Sequence, residues 1–222
     1  MTCYYPCWGF DDTPHGYPMR MATGSDCFEA IENTLKKAVA ALDGARVPFM
    51  LGGSLAVWVR GGPESCNDLD LMVRPDDADA ALAALEGSGM RGERPPEDWL
   101  YKAWDGDVLV DLIFGPKGLS IDDETFARSD SVSAFGLEVR AMSLEDVLVT
   151  KLRALHDHYL GYESLLEMAR AVREQVDWDR VRRATDESPY ARAFFALVEE
   201  LGIVERPSAS RGEARPRIRL AE

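Results

Sequence analysis

The sequence predicts an α/β (α+β) protein, with a mixed sheet and flanking helices over residues 25–142 and a helical C-terminal part over 143–205. Three observations carry this. Up to residue 141, short apolar runs bounded by Gly, Pro and Asp alternate with amphipathic helical stretches. From Ser143 onward the apolar period is helical throughout. Within the first part, the carboxylate pair of Asp68-Leu69-Asp70 runs straight into the apolar Leu71-Met72-Val73, so it belongs to a strand rather than a loop beyond one.

Residues 1–24 are rich in Pro, Gly, Tyr and Trp without periodicity and read as an irregular extension. Ser25 with nearby Glu29, then Phe28, Ile31, Leu35, Ala38, Val39 and Leu42, read as a capped amphipathic helix closed by Gly44. Val47–Leu51 is a short buried strand entering Gly52-Gly53, and Ser54–Arg60 a short helix stopped by Gly61-Gly62-Pro63. Leu69–Val73 is the next strand, and Asp76–Leu85 a second amphipathic helix. Trp99–Trp104 and Asp107–Phe114 form a hairpin about Asp105-Gly106, a strong two-residue turn signal. Ser131–Ala141 gives a further strand pair turning near Gly136. Helices follow over 143–157, 162–174, 177–185 and 189–201. Residues 206–222 carry arginines without apolar rhythm and read as a flexible tail.

The totals narrow the function. A formal charge of −14 opposes general DNA or RNA binding, which needs a basic footprint, but leaves room for a nucleotide in a locally positive cleft. No apolar run approaches membrane-spanning length and the N-terminus does not read as a secretory signal, so a cytoplasmic protein is expected. Cys3, Cys7, Cys27 and Cys66 are too scattered for a zinc ribbon and read as reduced thiols.

On a strand, Asp68 and Asp70 share a face about 7 Å apart, near enough for both carboxylates to hold one pair of divalent ions. Asp111 is the only polar residue of Val108–Phe114; its strand neighbours offer no partner, which suits either a third metal-facing carboxylate or a buried Asp bonded to an Arg or amide. Lys151 lies mid-stripe among Leu144, Val147, Leu148 and Leu155, where an ammonium can snorkel or reach phosphate oxygens. Gly52-Gly53-Ser54, a glycine turn between strand and helix, offers N–H groups and a hydroxyl to phosphates. His156-Asp157-His158 reads as a helix-end surface cluster, and Arg180, Arg182 and Arg183 as a solvated helix face.

Gly52-Gly53-Ser54, Asp68-x-Asp70, the strand-embedded Asp111 and the helix from Ser143 through Lys151 resemble the DNA polymerase β-type nucleotidyltransferase superfamily. Over residues 26–205 the chain is most similar to the small bacterial AbiE-type and MenT-type toxins. The resemblance implies Mg²⁺- or Mn²⁺-dependent transfer of a nucleoside monophosphate from an NTP to an acceptor hydroxyl. The acceptor would be a tRNA 3′ end or a protein, with a cognate antitoxin as partner. It also implies that Asp68 and Asp70 hold both metals and Asp111 the catalytic one, that Gly53 and Ser54 touch the triphosphate, and that Lys151 neutralises it. The sequence departs from that pattern at Glu64 and Cys66, where relatives carry a basic residue and a Ser or Thr. It departs again at Leu160–Ser164, where toxin-like members have Arg-Asp and Glu163 is the available carboxylate. A small-molecule nucleotidyltransferase acting on aminoglycosides or lincosamides, or a catalytically idle binding module of the same fold, are the alternatives.

Overall fold

A seven-stranded mixed sheet, in the order β3-β4-β5-β2-β1-β7-β6, carries the first part of the chain. The computed structural model describes residues 24–64, 68–157 and 159–206. All of the expected N-terminal extension but Gly24, all of the expected C-terminal tail but Arg206, and Cys3, Cys7, Cys66 and His158 lie outside the described residues.

The chain opens with α1 (Gly24–Ala45), β1 (Phe49–Leu51), α2 (Gly53–Trp58) and β2 (Leu69–Val73). Then come α3 (Ala78–Gly87), β3 (Arg91–Glu93), β4 (Leu100–Asp105) and β5 (Val108–Ile113). Next are α4 (Asp123–Ala127), β6 (Asp130–Ala134) and β7 (Leu137–Ala141). The rest is helical: α5 (Leu144–Ala154), α6 (Tyr162–Val172), α7 (Trp178–Thr185) and α8 (Pro189–Glu200). Two elements are additions to the sequence reading. β3 is three residues without a buried side chain, so no alternation marks it. α4 is little more than a turn, started by Asp122, whose side chain accepts from the Thr125 N–H.

Alternation along the strands separates an apolar face from a polar one. Leu69, Leu71, Val110, Leu112 and Ala103 are fully buried, with Leu69 opposite Val110 and Leu71 opposite Leu112 in the parallel β2–β5 pair. Burying each of these Leu and Val side chains contributes about 1.5–3 kcal/mol. Helices α1 and α3 pack on each other and on β5. α1 is also tied to the β4–β5 turn, where Lys37 donates to Asp105 at 2.6 Å and Thr34 at 3.2 Å.

The hairpin closes one step later than the sequence suggests. Asp105 pairs with Val108, so the loop residues are Gly106 and Asp107 rather than Asp105 and Gly106. Gly106 takes φ 61°, which suits glycine at the first loop position of a two-residue turn. The consequence is a register shift for every residue of β4 against β5, which matters at the site.

Helix α5 joins two apolar cores. Leu144 and Val147 belong to the core beneath the sheet, Leu148, Val149 and Leu152 to the core it shares with α6, α7 and α8. At its start Asp146, 2% exposed, accepts from Arg128 at 3.0 Å and Arg180 at 2.7 Å. This corrects the reading of the α7 arginines as a solvated face. Arg180 neutralises a buried carboxylate, and Arg182 pairs with Glu199 and lies 4.1 Å from the Phe195 ring; Arg183 is the exposed one. Such partners are required because a buried charge left alone is strongly destabilising.

Candidate active site

Asp68, Asp70 and Asp111 converge. One carboxylate oxygen from each lies within 4.8 Å of the others. Parallel pairing of β2 with β5 places Asp70 directly opposite Asp111 on the polar face. Asp68 reaches the group from outside the strand, because β2 begins at Leu69 and Asp68 is the exposed residue before it. The strand bounds agree with the expected Leu69–Val73.

The electrostatics of this group call for a cation. Burial pushes the Asp70 carboxyl up to about 7, opposed by the Lys151 ammonium and reinforced by the charges of Asp68 and Asp111. Burial likewise raises Asp111 to about 6, opposed by Lys102 and reinforced by Asp68. Asp111 Oδ1 is buried and has no hydrogen-bond partner. Three carboxylates this close, with a buried Asp111 oxygen that accepts no hydrogen bond, form a donor set for a hard divalent ion such as Mg²⁺ or Mn²⁺. The residues present therefore fit the metal that the resemblance implies.

Backbone of the α2 start lies against Asp70. Gly53 has φ 51°, and a Cβ built there would fall 1.6 Å from Asp70 Oδ2. Glycine is needed here twice, for the left-handed backbone and for the space. Gly53→Ala should lower unfolding stability by about 2 kcal/mol or more, from the backbone cost together with displacement of Asp70. Denaturant unfolding of the variant measures this, and an unchanged midpoint would refute the close approach. Gly52 caps α2, but its N–H donates to the Asp70 carbonyl at 2.9 Å, so it is not available to a phosphate. Its expected phosphate contact is corrected; the Gly53 N–H and Ser54 remain as candidates. Helix α2 packs on both β2 and α5, and the half-buried Lys151 on α5 is close enough to pull the Asp70 carboxyl down.

Lys102 was not anticipated. It stands opposite Asp111 in β4, with Nζ 3.6 Å from Oδ1. The expectation that Asp111 lacks a local partner holds along its own strand and fails across the hairpin. Glu163 is exposed in the first turn of α6 and is not one of the three clustered carboxylates. A cleft of about 320 Å³ elsewhere is lined by Arg60, Arg128 and Arg180, whose guanidiniums are engaged with Asp130 and Asp146.

Residues 34–199 match the family described as "Uncharacterised nucleotidyltransferase". The chain belongs to that family. No curated protein matches the sequence at a significant level. Among solved structures, this nucleotidyltransferase is similar to the antibiotic-resistance factor ANT(2″)-Ia in solution, with 18% identity and a TM-score of 0.57 over 78% of this chain and 97% of the other. A crystal structure of ANT(2″)-Ia in complex with adenylyl-2″-tobramycin gives 18% identity and a TM-score of 0.56 over 76% and 98%. Lincomycin-bound lincosamide antibiotic adenylyltransferase LnuA is more distant, with 14% identity and a TM-score of 0.47 over 62% and 93%. At these identities the ANT(2″)-Ia likeness shows the fold. Among the described residues no helix is long and apolar enough to cross a membrane.

Proposed function

We propose that this nucleotidyltransferase moves a nucleoside monophosphate from an NTP to an acceptor hydroxyl, using a divalent cation held by Asp68, Asp70 and Asp111. The observation that carries the reading is the convergence of three carboxylates within 4.8 Å, one of which, Asp111, has a buried oxygen that accepts no hydrogen bond. Gly53 and Ser54 face the triphosphate from the α2 start, and Lys151 balances its charge from α5. A bound divalent cation neutralises triphosphate charge and acidifies the acceptor hydroxyl. Asp111, at the end of the cluster away from Gly53, accepts the hydroxyl proton. The acceptor oxygen bonds to the α-phosphorus, the α–β phosphoanhydride bond breaks, pyrophosphate leaves with the bonding electron pair, and the proton passes from Asp111 to solvent.

The acceptor on the first reading is RNA, such as a tRNA 3′ end, or a protein, and the enzyme is a cytoplasmic toxin held by a cognate antitoxin. A second reading, a small-molecule antibiotic as acceptor, is favoured by the charge of −14, which attracts a cationic amino sugar and repels RNA. The ANT(2″)-Ia likeness supports it equally. The test incubates the protein with α-labelled NTPs and Mg²⁺ against total tRNA, purified proteins and an antibiotic panel. Label should move to one acceptor class and stop in Asp68→Ala; transfer that survives Asp68→Ala would falsify the site. Growth arrest on induction, relieved by Asp70→Asn, selects the toxin.

A further inference from the structure

The hairpin register builds a row across three strands: Lys102 on β4, Asp111 on β5 and Asp70 on β2. Gly53 lies against Asp70 at one end of that row, and Lys102 stands at the other. The two lysines near the carboxylates thus divide the site. Lys151 acts on Asp70, while Lys102 acts on Asp111. The Lys102–Asp111 contact is an ion pair at 3.6 Å, slightly longer than an ordinary hydrogen bond. Lys102 itself keeps 30% of its side chain in solvent, so its stem has room to swing the ammonium away.

We propose that Lys102 is a resident counter-cation that competes with the divalent ion for Asp111. The inference rests on the reading of the three carboxylates as a divalent-cation site. Lys102 Nζ lies 3.6 Å from Asp111 Oδ1. A divalent ion held by the Asp111 carboxylate would therefore lie only a few ångströms from that ammonium. Repulsion between a single and a double positive charge at that separation is large against thermal energy in a partly buried site. The ion must displace the ammonium to use Asp111 fully, which weakens its binding while no nucleotide is bound. Lys102 thereby holds the metal-free carboxylates together and leaves the site receptive to a cation that arrives with the negative charge of a triphosphate.

The experiment is a calorimetric Mn²⁺ titration, without nucleotide, of the full chain and of Lys102→Met, Lys102→Gln and Asp70→Asn. Thermal melts check that each variant is folded. Both Lys102 variants should bind Mn²⁺ about tenfold more tightly than the unsubstituted protein, because the competing charge is gone and the side-chain volume is largely kept. Either variant suffices if the other fails to fold. Asp70→Asn should lose the binding, which tests the metal reading separately. Mn²⁺ binding that is sensitive to Asp70→Asn but not tightened by removing Lys102 overturns the inference alone. Absence of Mn²⁺ binding in the unsubstituted protein and both Lys102 variants overturns the inference together with the metal reading.

Discussion

Asp111→Asn should lower kcat for nucleotidyl transfer by about a thousandfold, within the range expected when a positioned proton acceptor is removed, while leaving KM for the NTP within a few-fold. The split follows from geometry. Asp111 lies on β5, one strand beyond the Asp70 against which Gly53 packs, and stands opposite Lys102 across the hairpin. The substitution keeps the shape and removes the charge, so the parallel β2–β5 pairing of Asp70 with residue 111 survives. An interaction made mainly in the transition state lowers kcat and kcat/KM together. Steady-state kinetics with an α-labelled NTP and a fixed acceptor provide the measurement. A variant whose KM for the NTP rises a hundredfold with kcat unchanged would reassign Asp111 to nucleotide binding.

Much of this geometry is legible in the sequence because it depends on short-range periodicities. Asp68-Leu69-Asp70 ahead of Leu71-Met72-Val73 announces a strand whose apolar residues alternate with carboxylates, and β2 begins at Leu69. The stripe of Leu144, Val147, Leu148 and Leu152 announces α5, and four C-terminal helices appear near the expected ranges. The strand order is a different matter. Pairing of β2 with β5 depends on how distant segments meet, and nothing local in either strand specifies that Asp70 shall face Asp111. From its own strand Asp111 reads as either a third metal-facing carboxylate or a buried Asp bonded to an Arg or amide, and the chain's periodicity carries only the face on which each carboxylate lies.

The omission of Lys102 has a single cause. Taking Asp105-Gly106 as the loop sets Trp104 against Asp107 and puts Lys102 opposite Leu109, an unremarkable pair. The observed loop of Gly106 and Asp107 sets Asp105 against Val108 and puts Lys102 opposite Asp111. Both loops contain the same glycine; they differ in which position it fills, and the left-handed φ of Gly106 suits the first. A signal was available, since only the second register gives the buried Asp111 a cross-strand cation. Gly52 differs in kind. Its N–H is taken by the Asp70 carbonyl, a partner that exists only once β1 and β2 are side by side.

The raised carboxyls also make the stability of the metal-free protein depend on pH and on divalent ions in a definite sense. Asp70 titrates near 3.8 in an unfolded chain and at about 7 in the fold. The folded state therefore holds this proton more tightly, and the associated stability is fully present below pH 3.8 and lost as pH rises through about 7. A shift of this size corresponds to about 4 kcal/mol at most, and water reaching the half-buried Asp70 reduces it to roughly 2 kcal/mol. In EDTA, the melting temperature of the unsubstituted protein should fall between pH 5 and pH 8 relative to Asp70→Asn, which keeps a neutral amide throughout. For a chain of this length the gap at pH 8 should be several degrees. Asp111, raised to about 6, adds in the same direction at slightly lower pH. Saturating Mg²⁺ should reverse the order at pH 8. The ionised carboxylates that repel one another without metal become its ligands, and an ion present at a hundred times its dissociation constant contributes about 2.7 kcal/mol. Below pH 5 the same Mg²⁺ should have little effect, because protons occupy the oxygens it needs. Parallel melting profiles for the two proteins from pH 5 to pH 8 in EDTA would show that Asp70 is not held in the desolvated, like-charged surroundings described above.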